Sequence, residues 1–255
     1  MSAHVIALVN QKGGVGKTTT AVSLAAALTK RGERVLLADL DPQSNATSAA
    51  GLVENDLPGV YEALLDDLPV SGSTIRVDEG FDVLPANRTL AGADVELVPQ
   101  LAREQKLAVA LRPILARYDW ILLDCPPSLG LLTVNALAAA SSVLIPVQCE
   151  YLALEGLSRL VQTLDLVRKN LNPGLSIAGV LLTMFDARTR LASEVEEEVR
   201  EHFDETFATV IPRSVRLGEA PSHGKTIFKY DPSGRGATAY EALADELINR
   251  QEVKP

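Results

Sequence analysis

Cysteine is almost missing from this chain of 255 residues: Cys125 and Cys149 are its two examples, and no C-x-x-C pair exists. That excludes a disulfide framework or a cysteine-built metal or iron–sulfur centre, and it reads as two reduced, buried thiols in a cytosolic protein. The three histidines, His4, His202 and His223, have no metal-ligand spacing. No apolar run approaches the ~20 residues that cross a bilayer. No basic region followed by an apolar segment marks a secretion signal either. Positive charge is also in short supply, with 24 Lys and Arg against 33 Asp and Glu and a net charge of −9. On its face that disfavours nucleic acid, but binding responds to local patches. Residues 211–236 hold five cations, Arg213, Arg216, Lys225, Lys229 and Arg235, against two acids, Glu219 and Asp231. With no internal repeat and no linker rich in Gly, Ser or Pro, one domain over residues 1–255 is the expectation.

What is present is an apolar chain, 47% hydrophobic and 22% charged, able to bury a sizeable core. Val5–Val9 is a continuous apolar run suited to a strand buried on both faces of a parallel sheet. After it the chain turns through Gly13, Gly14 and Gly16, residues that accept positive φ and leave room for a phosphate. Ala21, Leu24, Ala25 and Leu28 then recur at helical spacing, with Gly32 at the expected C-cap. A helix that starts at glycines offers unpartnered N–H groups and a positive dipole end to a triphosphate. Lys17 can reach the β/γ-phosphates and the Thr18 hydroxyl can take one Mg²⁺ coordination place. The general pattern G-x-x-x-x-G-K-[ST] is broken at its first glycine, which is Gln11, and a second lysine, Lys12, opens the loop.

Further along, Val35–Ala38 reads as a strand closing on Asp39-Leu40-Asp41-Pro42-Gln43, carboxylates at the strand end where open α/β sheets keep ligands. Residues 44–51 read as a loop or short helix, Pro58–Leu68 as a helix and Phe81–Pro85 as a strand. The leucines of Leu97–Tyr118 predict a surface helix packing one face on the sheet. Trp120–Asp124 is an apolar strand closing on an acid, the Walker B pattern, in which the aspartate serves Mg²⁺ beside the phosphate-loop strand. Strands at Val143–Val147, Ile177–Thr183 and Thr206–Ile211 alternate with helices at 154–164 and Leu191–Phe203. A last helix carries Tyr240, Leu243 and Leu247 on one face; its polar face, with Glu241, Asp245 and Glu246, is too acidic for a membrane-targeting helix. The alternation predicts a P-loop NTPase-like α/β fold, a mostly parallel twisted sheet with helices on both faces in three α/β/α layers.

The loop Lys12-Gly13-Gly14-Val15-Gly16-Lys17-Thr18-Thr19 resembles the deviant Walker A loop of the ParA/MinD ATPases. With Leu40–Gln43, Leu123–Pro127, Leu182–Arg188 and Ile211–Ser222, the whole chain resembles the Soj-type ParA proteins that partition chromosomes or plasmids. The resemblance implies an ATP- and Mg²⁺-dependent ATPase whose nucleotide is held by Lys12 to Thr19, with Met184 and Pro212 beside the adenine. It implies that Lys12 reaches across a dimer to the partner's nucleotide and that Lys17 holds the β/γ-phosphates. Thr18, Asp41 and Asp124 would serve the metal, with Asp41 also handling the attacking water. It implies a homodimer formed on ATP, non-specific binding of double-stranded DNA through Arg188 and Arg216, and a ParB-like centromere-binding partner. The expected location is the bacterial cytoplasm, on the nucleoid and not on a membrane. Arg190, Arg213 and Lys225 are weaker DNA candidates, and for Arg188 and Arg216 the bland alternative is pairing with Asp186 and Glu219. Rival readings are a MinD-like membrane ATPase, which the acidic tail disfavours, a small-molecule ligase or kinase, and a ParA-like ATPase that positions a non-DNA cargo. Larger ParA proteins carry an N-terminal DNA-reading domain; this chain opens on its first strand.

Overall fold

A computed structural model describes residues 3–53, 58–150 and 153–252. In chain order its elements are β1 (His4–Leu8), α1 (Lys17–Lys30), β2 (Val35–Asp39), α2 (Asn45–Ala49), α3 (Val60–Leu65), α4 (Val70–Ser73), β3 (Ile75–Arg76) and β4 (Asp82–Leu84). There follow α5 (Leu90–Glu96), α6 (Lys106–Leu111) running into a 3₁₀ turn (Arg112–Arg117), β5 (Trp120–Asp124), α7 (Leu131–Ala139) and β6 (Ser142–Gln148). The chain finishes with α8 (Ala153–Asn170), β7 (Ser176–Thr183), α9 (Arg190–His202), α10 (Val215–Ser222), α11 (Ile227–Tyr230) and α12 (Arg235–Glu252).

The strands form one sheet in the order β3-β4-β2-β5-β1-β6-β7, parallel except for the short edge strand β3. Because side chains alternate along a strand, β1 divides cleanly. Ile6 and Leu8 join a core with α1 and α12, while Val5 and Ala7 join the core under α3 and α5–α9. Register then aligns three strand ends: Leu8 is opposite Asp124, and Asp124 is opposite Asp39. The Walker B strand therefore lies beside the phosphate-loop strand, with two carboxylates level with the loop.

Two expected elements differ. Leu97–Tyr118 is not one helix: α5 stops at Glu96, a turn region follows, and α6 spans only Lys106–Leu111. Pro99 and Pro113 lack the N–H a helix needs and restrict the residue before them, and Ala102 takes φ 50. Leu107 and Leu111 are buried, but Leu101 is 92% exposed, off the predicted apolar face. Thr206–Ile211 is likewise not a strand. It touches β7 at its ends, where Phe207 N–H donates to Val180 (2.9 Å) and Ile211 N–H to Leu182 (2.9 Å). Between them the backbone turns to the Glu246 carboxylate, which accepts from Ala208 N–H at 2.8 Å and Thr209 N–H at 2.9 Å. Gly179 on β7 permits this approach, since a Cβ there would collide with the Phe207 ring. The predicted C-terminal helix packs as expected, with Tyr240, Leu243 and Leu247 buried against α1; residues 253–255 lie outside the described part. Helices α5 and α7 carry no sequence expectation.

Candidate nucleotide and metal site

The phosphate loop is held open by two side chains, one following β1 and one ending β7. Asn10 accepts the Lys12 N–H through Oδ1 (2.9 Å) and donates through Nδ2 to the Pro146 carbonyl within β6 (2.7 Å). Thr183, ending β7, donates to the Val15 carbonyl at 2.8 Å. Gly14 and Gly16 take φ of 75 and 89, the left-handed conformation glycine tolerates; Gly13, expected to share it, does not. Gly16 caps α1 with no side-chain acceptor, so the first N–H groups of the helix keep their donors for a ligand.

Beneath the loop the charged groups converge. Lys17 is buried and its Nζ donates to the Lys12 carbonyl at 3.3 Å. Burial lowers its pKa, opposed first by the charge of the Asp124 carboxylate. Thr18 donates through Oγ1 to Asp124 Oδ2 at 2.8 Å. Asp124 is fully buried and its Oδ1 has no hydrogen-bond partner. Burial first, then the charge of Asp39, pushes its pKa well up. A buried carboxylate oxygen left without a donor, next to a threonine hydroxyl and a lysine, is a fit for a cation. Among the described residues no group of three or more His, Cys, Asp or Glu makes a metal cage by itself. A Mg²⁺ held by Thr18 and Asp124 therefore needs water and phosphate oxygens to complete its shell, which is how this ion is commonly bound.

The loop faces a cavity of about 660 Å³ lined by Gly13, Gly14, Gly16, Lys17, Thr18, Thr19 and Asp41, with Met184 on its wall. Asp41 is nearly buried and its Oδ1 accepts the Gln43 N–H at 3.0 Å. A second cavity of about 210 Å³ adjoins it, sharing Gly16, Thr19, Met184 and Gly218, with Ile211, Pro212 and Leu217 giving it apolar walls. Met184, at φ 52, stands between the two. Lys12 is not on either wall. Its Nζ pairs with Glu150 Oε2 at 2.9 Å, and the side chain is 55% exposed.

Arg188 and Arg216 lie outside this cluster, in solvent. Arg188 grips Asp186 with two bonds, Nε to Oδ1 at 2.8 Å and Nη2 to Oδ2 at 2.7 Å, which holds the Asp186 carboxyl far below its usual range. Arg216 donates to Glu219 Oε2 at 3.1 Å. Both are thus in the acid pairs that the sequence offered as the bland alternative. Arg190 pairs with Glu194 at 2.7 Å.

One functional residue escaped the sequence reading. Asp39 is fully buried and organises the segment that carries Asp41. Its Oδ1 accepts the Asp41 N–H (3.1 Å), and its Oδ2 accepts both the N–H and the hydroxyl of Thr47 (2.8 Å each). The Thr47 hydroxyl accepts in turn from Ala86 N–H at 3.0 Å. Burial is the chief cause that raises the Asp39 pKa to about 6. The Asp-x-Asp spacing was visible, but choosing between the two carboxylates needed the direction each one faces.

A family model described as AAA domain matches residues 3–177. The sporulation initiation inhibitor protein Soj of Bacillus subtilis (strain 168) is 57% identical over 249 residues, 95% of this chain and 97% of Soj. The chromosome partitioning protein ParA of Myxococcus xanthus (strain DK1622) is 53% identical over 254 residues, covering 98% and 90%. A solved structure of cobyrinic acid a,c-diamide synthase from Mycobacterium smegmatis, with bound ATP analogue and magnesium, superposes with a TM-score of 0.87 at 40% identity, covering 99% and 97%. With identities above half over nearly the full length of both relatives, and a phosphate loop, Walker B acid and second lysine in place, this chain belongs to the ParA/Soj family of chromosome-partitioning ATPases.

Proposed function

We propose that the chain works as one ATPase domain over residues 1–255 that closes on ATP into a dimer and binds double-stranded DNA without sequence preference. It releases the DNA when a ParB-like partner stimulates hydrolysis. The observation that carries this reading is Lys12: a lysine of the phosphate loop whose amine points to Glu150 at the rim and leaves the lining of its own cavity to Lys17. A cation so placed is available to a second subunit's nucleotide.

In this reading Gly13 to Thr19 and the N-terminus of α1 hold the phosphates, and Lys17 neutralises the β/γ oxygens from below. Thr18 and Asp124 would hold Mg²⁺, with Asp41, which lines the same cavity, serving the metal as well. The chemistry a bound Mg²⁺ supplies is charge neutralisation and orientation of the phosphate oxygens. Asp41 orients the attacking water, and the Asp39–Thr47 network keeps Asp41 in place. Met184 and Pro212 flank the base in the smaller apolar cavity. Phosphoryl transfer depends mostly on positioning and on stabilising charge, so Lys12 arriving from a partner raises turnover only when two subunits meet. ATP then controls dimerisation, and the dimer doubles the exposed arginines Arg188 and Arg216, which exchange Asp186 and Glu219 for DNA phosphates. Each phosphate contact adds to affinity and to its salt dependence. The location that follows is the nucleoid in the cytoplasm; no helix among the described residues is long and apolar enough to cross a membrane.

The test is binding to a duplex of arbitrary sequence at low salt with ATP, ADP or no nucleotide, beside the Arg216→Ala variant. ATP-dependent binding that the variant loses supports the reading. Binding in no nucleotide state overturns it and leaves an ATPase that positions a different cargo. A small-molecule synthase is the second reading, raised by the name of the solved structure; it predicts turnover that DNA leaves unchanged.

A further inference from the structure

We infer that the groove between α3 and α6, remote from the nucleotide cavities, is a docking site for a partner protein's amphipathic helix with a basic flank. The groove encloses about 410 Å³ and is walled by Leu68, Pro69, Leu101, Val109 and Pro113, with the Asp67–Lys106 ion pair (3.9 Å) at its edge. Ten large apolar side chains are exposed among the described residues, and three of them, Leu68, Leu101 and Val109, line this one groove. Concentrated exposed apolar surface of this kind marks an interaction site, whereas scattered residues would not.

Backbone strain points to the same place. Four non-glycine residues among those described have positive φ: Ser44, Asp67, Ala102 and Met184. Met184 lines the nucleotide cavities and Ser44 sits between cavity-lining Gln43 and Asn45. The other two, Asp67 and Ala102, both line this groove. Such conformations cost of order 1–3 kcal/mol each and collect where function maintains them. Here the strain at Ala102 holds Leu101 out in water. The segment is not loose: Asn135 of α7 donates to the Arg103 carbonyl at 2.7 Å and accepts the Leu107 N–H at 3.1 Å.

Charge selects the occupant. Residues 58–69 and 94–113 carry six carboxylates and three cations. Of the cations, Arg103 is spent on Glu104 and the Val98 carbonyl, and Lys106 on Asp67. Asp67 lines the groove, and its chain neighbour Asp66 is exposed. An apolar floor set in two stretches of net negative charge matches a helix whose apolar i, i+3, i+4, i+7 face is flanked by Lys or Arg. A second copy of this acidic chain is a poorer match. This inference does not depend on the DNA reading.

The test is selection of a displayed helical-peptide library on the full chain, followed by affinity measurement of the enriched peptides on wild type, Leu101→Asp/Val109→Asp and Asp66→Lys/Asp67→Lys. ATP turnover of the variants serves as the check on folding, since none of these residues belongs to the nucleotide site. Enriched peptides with the apolar face and basic flank, bound at least tenfold more weakly by both variants at unchanged turnover, support the site. No enrichment, enriched peptides that are acidic or lack the apolar face, or equal binding by all three proteins overturns it. Sedimentation showing that wild type self-associates through Leu101 and Val109 also overturns it, because the occupant is then a second copy.

Discussion

On one face of the sheet α1 lies flat against α12 with ten of its fourteen residues buried, whereas on the other α3, α5 and α6 are seven residues or shorter and leave Leu101 and Val109 in water. The first face is built from small residues, Ala21 and Ala25 to Ala27 among them, that let a helix press close to the strands. Its stiffness fixes the N-terminus of α1 and hence the donors of the phosphate loop. The second face also buries side chains of α7, α8 and α9, but at α3 and α6 it keeps an apolar, strained surface. The difference teaches that a close-packed face can fix the donors of a phosphate loop while the other side of the same sheet leaves apolar side chains in water.

The largest test of that division is Lys17→Ala, which removes the buried cation under the loop. We expect nucleotide affinity by calorimetry to fall roughly 10³-fold, in line with losing a preorganised charge donor; a small loss would mean that this face is not the chemical one. Next, Asp41→Ala should lower turnover roughly 10²-fold with ATP affinity changed only a few-fold, the pattern of an interaction made in the transition state. A variant that hydrolyses normally refutes the role given to Asp41.

Stability sharpens the contrast. Leu24→Ala on α1 should cost about 2–5 kcal/mol in denaturant unfolding, the price of a core cavity. Leu101→Ala on the groove should stay within about 0.5 kcal/mol, as for a surface change. Equal costs would mean that the groove is core.

Asp39 supplies a pH test. Its carboxyl moves from 3.8 toward about 6 on folding, because burial disfavours the charged form. The unfolded chain therefore releases this proton first. Its contribution is full below about pH 4, is lost as pH rises toward 6, and is constant above, a change of roughly 3 kcal/mol. Unfolding curves across that window should fall less steeply for Asp39→Asn than for wild type; parallel curves would assign the slope elsewhere. The smallest effect is expected from Glu150→Gln: the exposed pair with Lys12 is worth under about 1 kcal/mol of stability.

Much of the nucleotide site was legible because its residues are close in sequence. Lys12 to Thr19 follow a buried strand and open a helix, so strand, loop chemistry and helix dipole can be read from one stretch. Asp124 was legible as the acid that ends an apolar strand. Asp39 was not, because its part is to accept three hydrogen bonds from residues up to eight positions away. Leu101 was misread for a related reason: a leucine period shows which residues share a face only if the helix continues, and Pro99 and Pro113 end it.

The sequence by itself determined the fold class, the phosphate loop, the acid that closes β5 and the family likeness, since apolar periodicity and short motifs act over a few residues. Only the tertiary structure decided that Asp124 keeps one oxygen free, that Lys12 stands with Glu150, and that Arg188 and Arg216 sit in acid pairs. It alone decided that Thr206–Ile211 leaves the sheet for Glu246 and that Leu68, Leu101 and Val109 line one groove. Each of these outcomes depends on which distant group reaches a given atom first, and that competition is settled by packing in three dimensions.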